Sequence, residues 1–280
     1  MITVNLFGGL GNQLFQIAAA YKISQIKNKK ITIDNSLQNY FKFSHEQFNL
    51  SDIFKLNFKK KKNNIFCQIL LKKIILKFRF LSNFQGFYVT ESNYLKTLKK
   101  DFTEIEMLDY WQNLDFFKSH IDEIKKLLKF KYIKVDKNLL NIISIKNSVS
   151  LHIRRGDYIS SKNYVNYSLP IEYYEKAIKK ISQKRKNLIF FIFSDDKKWV
   201  KNNFLKKFKK FDLNLVSTDK SYKDFFLMTK CKHHIISNST FSWWSAFLNK
   251  NNEKLIIYPS VWFKNKLKPP AIFDDKWIKV

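Results

Sequence analysis

The sequence predicts an α/β protein made of two Rossmann-like halves, and three observations predict it. The chain opens with a strand–loop–helix–strand pattern, its second half alternates continuous apolar runs with helical segments, and its least ordinary polar residues fall where those runs end. Such alternation marks βαβ units on a parallel sheet, whose strands are apolar on both faces because helices cover both.

Local pattern assigns each element. Ile2–Phe7 reads as a strand, Gly8–Gly11 as a tight loop, Gln13–Ile26 as a helix with an apolar face and Ile31–Asp34 as a second strand. The middle is less regular: Lys55–Lys62 is Lys-rich, Ile65–Phe80 suits a helix and Phe87–Glu91 a strand. From Ser148 onward Ser148–Ile153, Leu188–Phe193, His233–Ser237 and Leu255–Tyr258 read as strands, the last closing the series. Helices fit Leu169–Ile181, with Pro170 at the tolerated first position, Ser221–Lys230 and Phe241–Asn249. The halves are expected to meet near residues 130–147, giving domains at 1–140 and 141–280 with no repeat and no Gly/Ser- or Pro-rich linker.

Composition bounds the function. With 280 residues, 45% apolar and 17% aromatic, the chain can bury a large core, and disorder is excluded. Lys and Arg number 52 against 23 Asp and Glu, a surplus of +29 that could draw phosphates, nucleic acid or anionic lipid. The surplus is nearly all Lys beside many Asn, which codon bias would also produce with no partner involved. Cys67 and Cys231 give no disulfide framework, as expected in a reducing cytoplasm. The N-terminus lacks a basic leader region, and no stretch approaches the ~18 apolar residues of a membrane span, so a cytoplasmic location is expected.

Four polar clusters stand at predicted strand ends, where open α/β sheets bind ligands. In Gly8-Gly9-Leu10-Gly11-Asn12-Gln13 the glycines permit close backbone approach and the amides offer neutral hydrogen bonds; a tight turn needs the same residues. His152-Ile153-Arg154-Arg155-Gly156-Asp157-Tyr158 places two Arg side by side in a Lys-dominated chain, and guanidinium forks match a diphosphate; an Arg–Asp bridge pinning a loop is the alternative. Ser194-Asp195-Asp196 could read guanine or a ribose hydroxyl, or cap a helix. Ser237-Asn238-Ser239-Thr240-Phe241-Ser242 gathers more hydroxyls at a helix start than capping requires, a phosphate cradle, while Trp243 and Trp244 suit helix packing.

The segments GGLGNQLFQ, HIRRGDY and SNSTFSWW, in this order and spacing, resemble the α-1,2-fucosyltransferases of glycosyltransferase family 11. The resemblance spans most of the chain, although residues 35–145 carry little of it. It implies a GT-B-like architecture, with an N-terminal half facing a galactoside acceptor and a C-terminal half holding GDP-fucose. It also implies inversion with no cofactor and no required metal, consistent with the absence of an Asp-x-Asp triplet. Carried over by residue, Arg154 and Arg155 clamp the diphosphate and are catalytic, and His152 neighbours the nucleotide. Asp195 or Asp196 reads guanine, and Ser239, Thr240, Phe241 and Ser242 form the phosphate side. Gly9, Gly11, Asn12 and Gln13 approach fucose and acceptor, and Asp157 is the candidate base or an orienting group for an Arg.

Between Lys55 and Arg79 the chain carries Lys or Arg at 55, 59–62, 72, 73, 77 and 79 and no acid. Peripheral contact with an anionic membrane, where a lipid-linked glycan acceptor would sit, is one reading; a core helix with snorkelling Lys is the other, because the Lys positions scatter around the helical wheel. A nucleic-acid-binding protein is the rival from another class, and regular α/β alternation with motifs at strand ends argues against it.

Overall fold

The computed structural model describes residues 1–40, 46, 49–61, 66–77, 88–99, 102–160, 166–264 and 269–280. The chain divides into two compact units, Met1–Lys131 and Tyr132–Val280, each built on its own parallel sheet.

In the first unit the described strands are β1 (Ile2–Asn5), β2 (Ile31–Asp34), β3 (Lys59–Lys60), β4 (Tyr88–Val89) and β5 (Ile105–Met107), in the order β3-β2-β1-β5-β4. β1 is central and buried throughout, as an all-apolar-faced parallel strand should be. The predicted loop Gly8–Gly11 is shorter than expected. Helix α1 (Leu10–Lys27) starts inside it, because the Gly9 carbonyl accepts the Asn12 and Gln13 N–H groups at 3.0 and 3.2 Å, so Gly11 is helical. α1 ends at Asn28, whose φ of 47° makes it a left-handed cap.

Helix α2 (Phe66–Lys77) replaces the expected Ile65–Phe80, of which residues 65 and 78–80 lie outside the described residues, as does Phe87 before β4. It packs Ile75, with Ile69, Leu71 and Leu76, on Phe7, Leu37, Tyr88 and Leu108. Lys72 of this helix does not snorkel. Its side chain is 1% exposed and its ammonium lies 2.7 Å from Asp34 and 3.5 Å from Glu106, which Lys61 also pairs. Burial disfavours the charge on Asp34, but hydrogen bonds from Lys72 and Ser36 outweigh it and hold the carboxyl below its usual range. Among the described residues no helix is long and apolar enough to cross a membrane.

The second unit begins with helix α3 (Lys137–Ile145), capped by Asp136, and its strands are β6 (Asn147–Ile153), β7 (Leu188–Ser194), β8 (Asp212–Leu215), β9 (His233–Ile235), β10 (Ile256–Tyr258) and β11 (Ile278–Lys279). Their order is β11-β10-β9-β6-β7-β8, all parallel. Counted from β6 as first, this is the 3-2-1-4-5-6 order of the Rossmann sheet, with its direction of winding reversing between β6 and β9. Helices α4 (Ile171–Lys184), α5 (Ser221–Met228) and α6 (Thr240–Leu248) complete the layers. Val149, Leu151, Tyr174, Ile178, Phe190 and Ile192 belong to one fully buried cluster between sheet and helix. Three expectations need correction. β10 is not the final strand, since β11 pairs beside it. β8 has no counterpart in the sequence reading. Pro170 sits at the cap with extended ψ of 155°, one residue before the helix proper.

Candidate active site

The winding of the second sheet reverses between β6 and β9, and the two polar motifs that carry the sequence reading leave the carboxyl ends of these two strands. At such a point the loops diverge and open a crevice floored by strand ends. A hydrogen bond crosses it: His152 Nδ1 lies 2.8 Å from Ser237 Oγ. Burial lowers the His152 pKa to about 3, so the imidazole is neutral at physiological pH, and its ring lies 5.5 Å from that of Phe241.

Beyond His152 the chain presents the two guanidinium groups, each held by carboxylates. Arg154 lies 2.5 Å from Asp157 and 2.8 Å from Asp195, with its side chain 20% exposed. Arg155 donates its backbone N–H to Asp195 at 2.8 Å and its Nε–H to Asp196 at 3.2 Å. At Gly156, the residue after the pair, a methyl would come within 2.9 Å of the Asp195 carboxylate. Tyr158 donates to the Asn238 carbonyl at 3.2 Å, which ties the β6 loop to the β9 loop, and burial pushes its phenol up to about 12.

Of the two readings of the acidic pair, the structure shows the helix cap, and it adds contacts to the arginines. Asp196 caps the short helix Lys197–Trp199, accepting from the Trp199 N–H at 2.9 Å, and also binds Arg155. Asp195 is exposed and braces both arginines. One contact had no signal in the sequence: the Arg155 guanidinium carbon lies 3.8 Å from the centroid of the Trp199 ring.

On the β9 side the hydroxyls divide. Ser239 caps α6 through the Phe241 N–H, and Thr240 opens the helix half-buried. Ser242 is fully buried and donates to the Ser239 carbonyl at 3.1 Å, so in this geometry it stabilises the first turn. Asn238 donates to the Tyr167 and Trp262 carbonyls, and Trp243 donates to Ile272; Trp243 and Trp244 are fully buried, as packing residues should be.

The glycine-amide motif of the first unit is occupied largely with its own loop. Gly8 has φ of 78°, and a Cβ there would meet Asn12 Nδ2 at 2.7 Å. Gln13, 1% exposed, donates to the Gly8 carbonyl at 2.9 Å, and Asn12 accepts from Gln112 at 3.1 Å. Gln16, not singled out by the sequence, accepts the Phe7 N–H at 3.2 Å and donates to the Asp109 carbonyl at 3.3 Å, closing the β1 and β5 ends together. Gly9 precedes α1 as its cap, without a side chain to satisfy the first turn.

Comparison with known proteins places the chain in a family. The sequence profile of glycosyl transferase family 11 matches residues 1–280. The O-antigen biosynthesis glycosyltransferase WbnK of Escherichia coli is 32% identical over 98% of this chain and 99% of its own length. An alpha-1,2-colitosyltransferase of Escherichia coli is 32% identical over 100% of this chain and 99% of its own. The galactoside 2-alpha-L-fucosyltransferase SEC1 of Bos taurus is 26% identical over 47% of this chain and 38% of its own. In fold the chain is similar to the NodZ alpha-1,6-fucosyltransferase co-crystallized with GDP, at a TM-score of 0.53 and 13% identity, covering 87% of this chain and 90% of that one. The α/β, GT-B-like fold class expected from the sequence is thus found, and the protein belongs to glycosyl transferase family 11.

Proposed function

We propose that this glycosyltransferase moves L-fucose from GDP-β-L-fucose to the 2-hydroxyl of a galactoside in a surface glycan, with inversion and without a metal ion. The observation that carries this reading is the pair Arg154 and Arg155, fixed by Asp157, Asp195 and Asp196 at the point where the second sheet reverses its winding. In the transfer the acceptor oxygen bonds to the sugar C1 while the C1–phosphate oxygen bond breaks and its electron pair leaves with GDP. Negative charge grows on that diphosphate, so prealigned guanidinium groups bind the transition state more strongly than the ground state. The half-exposed carboxylates keep each fork oriented before the donor arrives, which lowers the reorganisation needed at the moment of reaction. Asp157, 2.5 Å from Arg154, serves as an orienting group in this reading, and the acceptor proton passes to a base outside the pair.

The α-1,2-colitosyltransferase relative, matched over the whole chain, supports a second reading in which the donor sugar is colitose, a 3-deoxy analogue of fucose. The test is a set of transfer reactions with GDP-fucose and GDP-colitose, lactose or another galactoside, and EDTA, with NMR assignment of the product linkage. A 2-linked α-fucosyl product supports the first reading. Turnover of GDP-colitose alone supports the second, and no GDP release from either donor across a galactoside panel overturns both.

A further inference from the structure

We propose that Trp199, presented by a π-helical turn, is a positioning residue that sets the plane of the Arg155 guanidinium for the diphosphate. The inference rests on the functional reading above only in naming the anion. Three contacts define the Arg155 plane. Its guanidinium carbon lies over the Trp199 ring, 3.8 Å from the centroid, its Nε–H donates to Asp196 at 3.2 Å, and its NH1 reaches Ser168 Oγ at 3.5 Å. Asp196 binds both partners, since its other oxygen accepts the Trp199 N–H at 2.9 Å. The carboxylate thus holds the Trp199 backbone as well as the Arg155 guanidinium, which lies over the indole.

The chain following Trp199 explains how the indole is aimed. Val200–Phe204 is a π-helical turn in which the Leu205 N–H donates to the Val200 carbonyl five residues back. Such turns are rare and gather at functional sites. Trp199 and Phe204 are five residues apart, which an α-helix would put about 140° apart around its axis. The wider turn brings Trp199 and Phe204 closer to one side, their rings 6.4 Å apart, so that Phe204 stays fully buried while the Trp199 ring lies against Arg155. Asn203 donates to the Trp199 carbonyl at 3.2 Å and fastens the turn. A planar guanidinium on an indole face is attracted by the ring quadrupole and loses rotamer freedom before any ligand binds.

The test uses the full chain and two probes, GDP and inorganic pyrophosphate, with affinities measured by calorimetry for the wild type, Trp199→Ala, Trp199→Leu and Trp199→Phe. Both Ala and Leu should weaken binding of each probe about tenfold. Phe, which keeps an aromatic face, should stay within about threefold, and thermal midpoints should follow packing volume instead of affinity. Leu retains the packing but not the ring, so Leu binding as well as Phe, or Ala binding like wild type, overturns the proposal. Wild type that binds neither probe overturns it as well. Wild type that binds pyrophosphate but not GDP sinks the nucleotide-sugar reading while leaving the Trp199 comparison intact.

Discussion

The two units share a parallel sheet and a polar motif after the first strand, yet they spend buried polarity in opposite ways. The first unit encloses charge: Asp34, Lys72 and Glu106, all nearly inaccessible, neutralise one another, and its amides Gln13 and Gln16 bond to nearby backbone. The second unit encloses neutral groups, with His152 against Ser237 and His234 against Ser150, and leaves its charges half-exposed at the strand ends. Similar motif density therefore has different meanings. A charge satisfied inside holds a fold, whereas a charge braced at the rim remains available to a ligand.

The sharpest way to break this comparison is at Lys72. Removing it as Lys72→Met takes the buried ammonium away from Asp34 while Lys61 still pairs Glu106, and the first unit should lose about 3–5 kcal/mol. Denaturant unfolding checks this; a loss below about 1 kcal/mol would mean the buried charges carry no structural role. Arg154→Ala should leave unfolding midpoints nearly unchanged and cut kcat for sugar transfer about 10²–10³-fold, as loss of one charge-stabilising donor does. An unchanged kcat would move the catalytic centre elsewhere.

Acid separates the units next. The His152, His233 and His234 pKa values are all lowered by burial, to about 3 for His152 and about 4 for His233. A folded pKa below the unfolded value of about 6.5 contributes stability that is whole above that pH and lost as pH falls through it toward the folded value. For fully buried His152 the loss approaches about 1.4 kcal/mol per pH unit. Site-resolved hydrogen exchange between pH 7 and 4.5 should show the second unit opening first, and His152→Gln should flatten that slope. The smallest effect is Gly8→Ala, which forces a φ of 78° on an L side chain and should cost the first unit about 1–2 kcal/mol. A neutral result would mean the loop shifts freely around Asn12.

Much of the second unit was legible because strands such as β7 are apolar runs and its motifs sit where strands stop. β6 and β7 were placed to within a residue, and the Arg pair was found from its rarity among lysines. Edge strands were harder. β3 is Lys59–Lys60, charges that suit a sheet edge but imitate a loop, and β8 alternates exposed and half-buried positions without a strong apolar run. Helix α3 was not read from the sequence, although Asp136 starts it with a side-chain cap that accepts the Leu139 N–H at 2.7 Å. The scatter of lysines around the α2 wheel pointed to a core helix with snorkelling Lys, and the burial of Lys72 left no local signal because its acidic partners lie 38 and 34 residues away. Trp199 was invisible for the same reason, since a π turn and a stack on a residue 44 positions earlier leave no periodic trace.

The most direct test of the central claim is hydrogen exchange of the full chain with and without GDP. Protection should appear at residues 152–158, 194–199 and 237–242 of the second unit, while the strand-end loop at 6–13 of the first stays unchanged. Protection confined to residues 6–13, with none around Arg154 and Arg155, would contradict the account.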